Sequence, residues 1–267
     1  MISGNTKEAM LRVNSILSGL LAILSVQAGA AANDLSAAGV AEFTAAYQTW
    51  DGTRFAAAAE LFRRATTNAP TNATNFYWLG TAQFHRMLQL QNTPANRTNE
   101  AAAKVALDAA VDALTLAVKL DERHAESHAL LGTLYGMKIN GNLLRGVRFG
   151  PRVARHHKLA LEHGASDPRV QYLLGMCQFH TANKPAEWQA ALQTLLKAKK
   201  LFEAEAKTIA APLDPRWGYD SCLTFLGRTY ELLGQRKEAV DYFRKAVAMH
   251  PADHLAKEGL ARVTQRK

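Results

Sequence analysis

The run from Leu223 to Pro251, LTFLGRTYELLGQRKEAVDYFRKAVAMHP, constrains the fold more than any other stretch of the chain. Leu223, Leu226, Gly227 and Tyr230 recur at i, i+3, i+4 and i+7, which puts them on one helical face. After a break at Gly234, Ala239, Phe243 and Ala246 form a second such face. Gly227 and Ala239 are small enough for two antiparallel backbones to approach closely, with Phe243 filling the space beside them. Pro251 stops the second helix, because proline has no N–H to donate, and it is tolerated at the start of another. The unit is a two-helix hairpin, and the rest of the chain reads as degenerate copies of it.

Upstream equivalents of Gly227 are Gly175, Gly132 and Gly80, each preceded by Leu, with Ala46 as the weakest candidate in the first copy. The second-helix alanines equivalent to Ala246 are Ala198, Ala160, Ala117 and Ala65. From alanine to the next glycine the step is 15 residues for Ala65 to Gly80, Ala117 to Gly132 and Ala160 to Gly175, and 29 for Ala198 to Gly227. Three equal joins argue for a true repeat. The long join carries an insertion of 14 residues that contains Pro212 and Pro215. The repeats then cover about 36–70, 71–122, 123–165, 166–214 and 215–251, and a capping helix over 252–264 turns Leu255, Leu260 and Val263 inward. Asp51-Gly52 is expected to form the first turn, and Asp167-Pro168 supplies an N-cap followed by proline at the first helical position. In repeat three a Gly-rich connection is expected from Asn140 to Gly150, with Pro151 opening the second helix.

At these positions the chain resembles the tetratricopeptide-repeat family, whose 34-residue pattern is met or conservatively replaced in the last hairpin. The resemblance implies an all-α solenoid of about five antiparallel two-helix repeats with a C-terminal capping helix, and a non-catalytic role in holding other molecules. In that family the first helices line a concave groove, faced by positions two, five, nine and twelve of each repeat. Carried onto this chain, those positions include Tyr77, Phe84, Arg169, Tyr172, Met176, Phe179 and Arg228, the expected ligand groove. Their aromatic and Met content suits an adaptable peptide surface. The pairs Tyr135-Gly136 and Gly150-Pro151, with Trp217-Gly218 further on, also resemble a subgroup of exported bacterial members whose activity is not assigned.

The N-terminus reads as an export signal. Lys7 and Arg12 precede the apolar run Ile16–Val26, and Ala28 to Ala32 offers small-residue cleavage options. Residues 1–30 are therefore expected to be removed, leaving a mature solenoid over 31–267 in the periplasm or outside the cell. The apolar run is shorter than the roughly 20 residues a membrane span needs, so no span is expected in the mature chain. The formal charge of +9 is compatible with an anionic partner. Cys177 and Cys222 fall at different heights on neighbouring first helices, which disfavours a bridge.

No nucleophile elbow, phosphate-binding Gly loop, paired-cysteine motif or nucleotide fingerprint occurs, so no catalytic residue, cofactor or metal site is expected. His124 and His128 stand four apart as H-A-E-S-H, but the carboxylate lies between them rather than beside the first His, which is not the zinc-protease order. Arg145, Arg148, Arg152, Arg155 and Lys158 form the densest basic run. With only Phe149 interleaved, it lacks the stacking platforms that single-stranded nucleic acid requires. Two functions follow. The first is a scaffold binding an extended peptide or partner protein in the concave groove. The alternative is a carrier or enzyme accessory holding a small anion at residues 140–158, with Arg145, Arg148, Arg152 and Arg155 around the amides behind Pro151.

Overall fold

A computed structural model of the protein describes residues 33–92 and 97–265; the expected leader lies outside the described residues. The described chain is helical without strands. Its helices are α1 (33–49), α2 (Gly52–Asn68), α3 (Ala73–Gln91), α4 (Arg97–Leu120), α5 (Ala125–Ile139), α6 (Leu143–Gly164), α7 (Pro168–Thr181), α8 (Pro185–Glu205), α9 (Tyr219–Leu232), α10 (Arg236–Met249) and α11 (His254–Gln265). Consecutive helices pair into five hairpins that stack side by side, and α11 covers the last of them. The architecture is the expected α-solenoid.

Local chemistry starts most of these helices. Asp51 accepts from the amides of Thr53 (2.8 Å) and Arg54 (3.3 Å), Asn72 from Thr74 (3.0 Å) and Asn75 (3.3 Å), and Asp167 from Arg169 (2.8 Å) and Val170 (3.2 Å). Each side chain satisfies donors that a helix start leaves without partners, a contribution of about 1 kcal/mol per cap. The α9–α10 turn needs a left-handed residue, and Gly234 supplies it with φ of 75°.

One contact holds every hairpin. A Cβ added to the first-helix glycine would strike the residue three places before the second-helix alanine. The pairs are Gly39 with Phe62, Gly80 with Leu114, Gly132 with His157, Gly175 with Leu195 and Gly227 with Phe243. In the first, fourth and fifth pairs the nearest approach would be 2.8 Å, too close for real atoms. This corrects the first repeat. Gly39, not Ala46, is its equivalent of Gly227, and Ala46 is a core residue two turns further along α1. Because loop lengths differ between repeats, spacing from Ala65 does not reveal the match; the shared packing partner does.

Repeat three departs from expectation at its second helix. α6 begins at Leu143, where Asn142 caps it by accepting from the Arg145 amide at 3.0 Å, so Pro151 lies in the helix interior rather than at its first turn. The stretch between Asn142 and Gly150 is helix, not a Gly-rich loop. An interior proline removes one ladder bond and crowds the preceding turn, at a cost of about 3 kcal/mol. Packing offsets it: Phe149 stacks on Tyr135 with centroids 5.8 Å apart, and Ala160 is fully buried against α5.

Candidate functional site

The concave face of the solenoid is occupied by the protein itself. Between α8 and α9, residues 206–218 run as a strap across the first helices, the place where the long join puts its extra residues. The strap is bonded along its length. Trp78 donates from Nε1 to the Leu213 carbonyl (3.0 Å), Trp217 donates from Nε1 to the Tyr77 hydroxyl (3.1 Å), and the Gly218 amide donates to the Tyr47 hydroxyl (3.2 Å). Trp217 is 3 % exposed, with its ring edge-on to His85 at 5.0 Å. Burial pushes His85 down to about 4, which keeps it neutral.

Two polar chains lie behind the strap. In one, the Tyr47 hydroxyl donates to Asp220 Oδ1 (2.6 Å), and the other Asp220 oxygen sits 2.7 Å from His250 Nδ1. This joins the first hairpin to the last, and the Tyr47 and His250 rings stack at 5.5 Å. Burial pulls His250 down, but its bond to Asp220 and that carboxylate's charge outweigh burial and raise it. In the other, Tyr77 donates to Glu126, Arg169 Nε donates to Glu126 Oε1 (2.7 Å), and Arg169 forks onto Glu205, with Nη1 at 3.0 Å. Burial pulls Arg169 down, but the charge of Glu126 and the bond to Glu205 outweigh burial and raise it.

These chains revise the expected groove. Tyr77, Phe84, Arg169, Tyr172, Met176 and Phe179 are all buried. Arg228 is half-buried, with its guanidinium over the rings of Phe179 (4.8 Å) and Phe225 (5.1 Å). The strap covers part of this set: Trp217 bonds Tyr77 and meets the Tyr172 ring edge-on at 6.5 Å. Sequence reasoning missed Tyr47, Trp217, Asp220 and His250. The available signal was Trp217 itself, since a tryptophan in a proline-bearing insertion has to be buried somewhere.

What stays open is an edge. The N-terminal ends of α1, α3, α5 and α7 meet strap residues 211–215 around a cleft of about 840 Å³. Asp34, Glu126, Asp167 and Asp214 put carboxylates into its wall. Burial and the neighbouring charge of Glu126 push Asp167 up to about 7, with Arg169 offsetting part of the effect. Burial is the larger cause, and the Glu126 carboxylate adds to it. A second cleft of about 480 Å³ lies on the far side of the strap, between Arg216, Trp217, Met249 and His250.

The basic run occupies the outer face of α6, where Arg145, Arg148, Arg152, Arg155 and Lys158 are all exposed. Two of them rest on aromatic rings: Arg148 over Phe149 (5.2 Å) and Arg152 over Tyr135 (5.4 Å). The amides behind Pro151 cannot serve an anion as the sequence reading required, because they are part of a continuing helix. His124 and His128 diverge. His124 caps α5 through the Ser127 amide (3.3 Å), whereas His128 lies 2.9 Å from His156, nitrogen to nitrogen. Burial, then the adjacent His128, pushes His156 down to about 4. Among the described residues no three His, Cys, Asp or Glu side chains group as metal ligands, and Cys177 and Cys222 are free thiols.

The stacked hairpins define a tetratricopeptide-repeat solenoid, and comparison with solved structures agrees. A thermophilic protein of this class from Thermus thermophilus superposes with a TM-score of 0.61 at 18% identity, over 88% of this chain and 99% of that one. An assembly chaperone of RpL4 covers 97% of this chain and 95% of its own at 14% identity, with a TM-score of 0.44. Residues 43–264 match the family described as Regulator of microtubule dynamics protein 1-3, and the chain belongs to that family. No match was found among the curated proteins. No helix among the described residues is long and apolar enough to cross a membrane.

Proposed function

We propose that this protein is a non-catalytic, exported interaction scaffold that holds a basic segment of a partner protein in the cleft at the N-terminal edge of its first helices. The carrying observation is the cleft itself, with a volume of about 840 Å³ and carboxylates at Asp34, Glu126, Asp167 and Asp214. The four acidic side chains in the lining support the sign of the partner, since a Lys or Arg side chain is attracted to them. The strap rims this cleft and fills the centre behind it, so an extended peptide is received at the edge rather than along the channel. The expected groove residues then act as support. Tyr77 and Arg169 fix Glu126 in the cleft wall, and their removal weakens binding indirectly.

The test is a titration of the mature protein with a Lys-rich and a Glu-rich peptide of equal length at low salt, where screening is weak. The Lys-rich peptide is expected to bind, with loss of affinity in the Asp34→Asn, Asp214→Asn variant and as pH falls below 7. Equal binding of both peptides, or an unchanged variant, removes the cleft as the partner site. Export is checked separately. N-terminal sequencing of the native product is expected to begin near Ala31 or Asn33, and recovery of Met1 would place the scaffold inside the cell.

A further inference from the structure

The outer face of α6 carries a second surface, independent of the cleft. Leu143, Leu144 and Val147 are 83 %, 80 % and 74 % exposed, on the first turn and a half of a capped, well-formed helix. At about 100° per residue, Leu143, Ala154, Val147 and Pro151 fall within one arc of about 80°, and Leu144 lies at its edge. Arg155, Arg148, Arg152 and Arg145 continue the same outward face beyond Leu144, and Lys158 lies within the apolar arc. All of these residues are exposed. The packed side of α6, with Phe149, His157 and Ala160, faces α5 instead. Residues 140–161 include no acidic residue, and no carboxylate pairs with these five cations among the described residues.

We infer that this face of α6 docks the protein onto an anionic lipid bilayer, with Leu143, Leu144 and Val147 entering the headgroup boundary and the flanking arginines meeting lipid phosphates. Three features select a bilayer over a protein surface. The apolar patch is only three aliphatic side chains, far below the roughly 800 Å² per partner of a stable protein interface. It sits on the exposed face of one helix, which a fluid surface accepts without a matching groove. Its cations are spread along the helix and unpaired, the arrangement in which each adds to attraction by a diffuse negative surface. The α6 N-terminus adds its partial positive charge beside the inserted leucines. The clustering of three strongly exposed aliphatic side chains within five residues is accounted for by the same contact.

Flotation of the full mature chain with phosphatidylcholine vesicles, with and without phosphatidylglycerol, tests the inference. Binding is expected only to the anionic vesicles, and to weaken as salt rises. A Leu143→Ser, Leu144→Ser, Val147→Ser variant and an Arg148→Gln, Arg152→Gln, Arg155→Gln variant should each lose at least about tenfold in partitioning, since burial of aliphatic groups and basic charge contribute jointly. Both variants should melt like the parent, because the replaced residues face solvent. No binding by the parent overturns the inference, and so does full retention in either variant. Competition by inorganic phosphate beyond that of chloride at equal ionic strength would reassign the face to a free anion. Retention of the parent on polyglutamate but not on vesicles would reassign it to an acidic protein. Failure here leaves the cleft reading untouched, because neither variant alters a cleft residue.

Discussion

Two inserted stretches, 140–150 in repeat three and 206–218 before repeat five, meet opposite fates. The first joins a helix and points outward: α6 starts at Leu143, eight residues ahead of Pro151, and leaves Leu143, Leu144 and Val147 in solvent. The second forms no helix and turns inward, where Trp217 is buried beneath Tyr77 and His85. Composition separates them. Residues 142–150 offer an Asn cap, two leucines and two arginines that favour helix despite Gly146 and Gly150, and no proline before Pro151. Residues 206–218 contain Pro212 and Pro215 close together, which leaves their carbonyls and amides to find partners across the concave face. Length alone does not decide where an insertion goes; what its backbone can satisfy and what its largest side chain can bury do.

The largest expected effect breaks the inward insert. Trp217→Ala removes a buried indole and its bond to Tyr77, and should cost about 3–5 kcal/mol, read as a drop in the denaturation midpoint. A loss near zero would mean that the strap does not close the concave face. Next come the hairpin contacts common to both regions. Gly227→Leu and Gly39→Leu each drive a side chain into a phenylalanine ring 2.8 Å from the new Cβ, and both should cost about 1–3 kcal/mol or more. If Gly39→Leu were harmless while Gly227→Leu was not, the equivalence of the first and fifth hairpins would fail.

A smaller effect sharpens the electrostatics beside the strap. Asp167 in the fold titrates near 7, above its ordinary 3.8, so the folded state holds the proton more tightly than the unfolded chain does. Its contribution is therefore complete below about pH 4 and is lost as pH rises through 7. Asn caps a helix as well as Asp does, so Asp167→Asn should be more stable than the parent by about 1 kcal/mol at pH 8, an advantage that shrinks toward pH 5. The opposite trend in urea titrations at the two pH values would show that the fold does not raise Asp167. The smallest effect belongs to the outward insert: Leu143→Ser with Leu144→Ser should change stability by no more than about 0.5 kcal/mol, as exposed positions do. A large loss would mean that the α6 tip is packed against something in the free protein.

Much of this was legible in residues. The i, i+3, i+4, i+7 faces of the last hairpin, the equal joins from Ala65, Ala117 and Ala160, and the Asp167-Pro168 start identify helices that are present where the periodicity puts them. The basic run was legible too, and it does share one exposed face of α6. The repeat pattern did not reveal that six of the seven groove positions are buried. Pro151 misled because proline at a first helical turn is a strong local preference, and the Phe149–Tyr135 stack that allows an interior proline comes from another helix.

The chain's local grammar of spacing, caps and small residues was enough to determine a helical-hairpin solenoid, because helix formation and close hairpin packing depend on neighbours within about one repeat. Whether its concave face stays open depends on contacts of a different range. Tyr47 meets Asp220 173 positions away, Trp78 meets Leu213 135 away, and Trp217 meets Tyr77 140 away. No periodicity encodes such pairs, since they arise only once curvature brings the first hairpin to the last and the strap finds unsatisfied groups between them. The array follows from each repeat taken with its neighbour; the closed centre, the acidic edge cleft and the exposed α6 ridge follow from the superhelix as a whole.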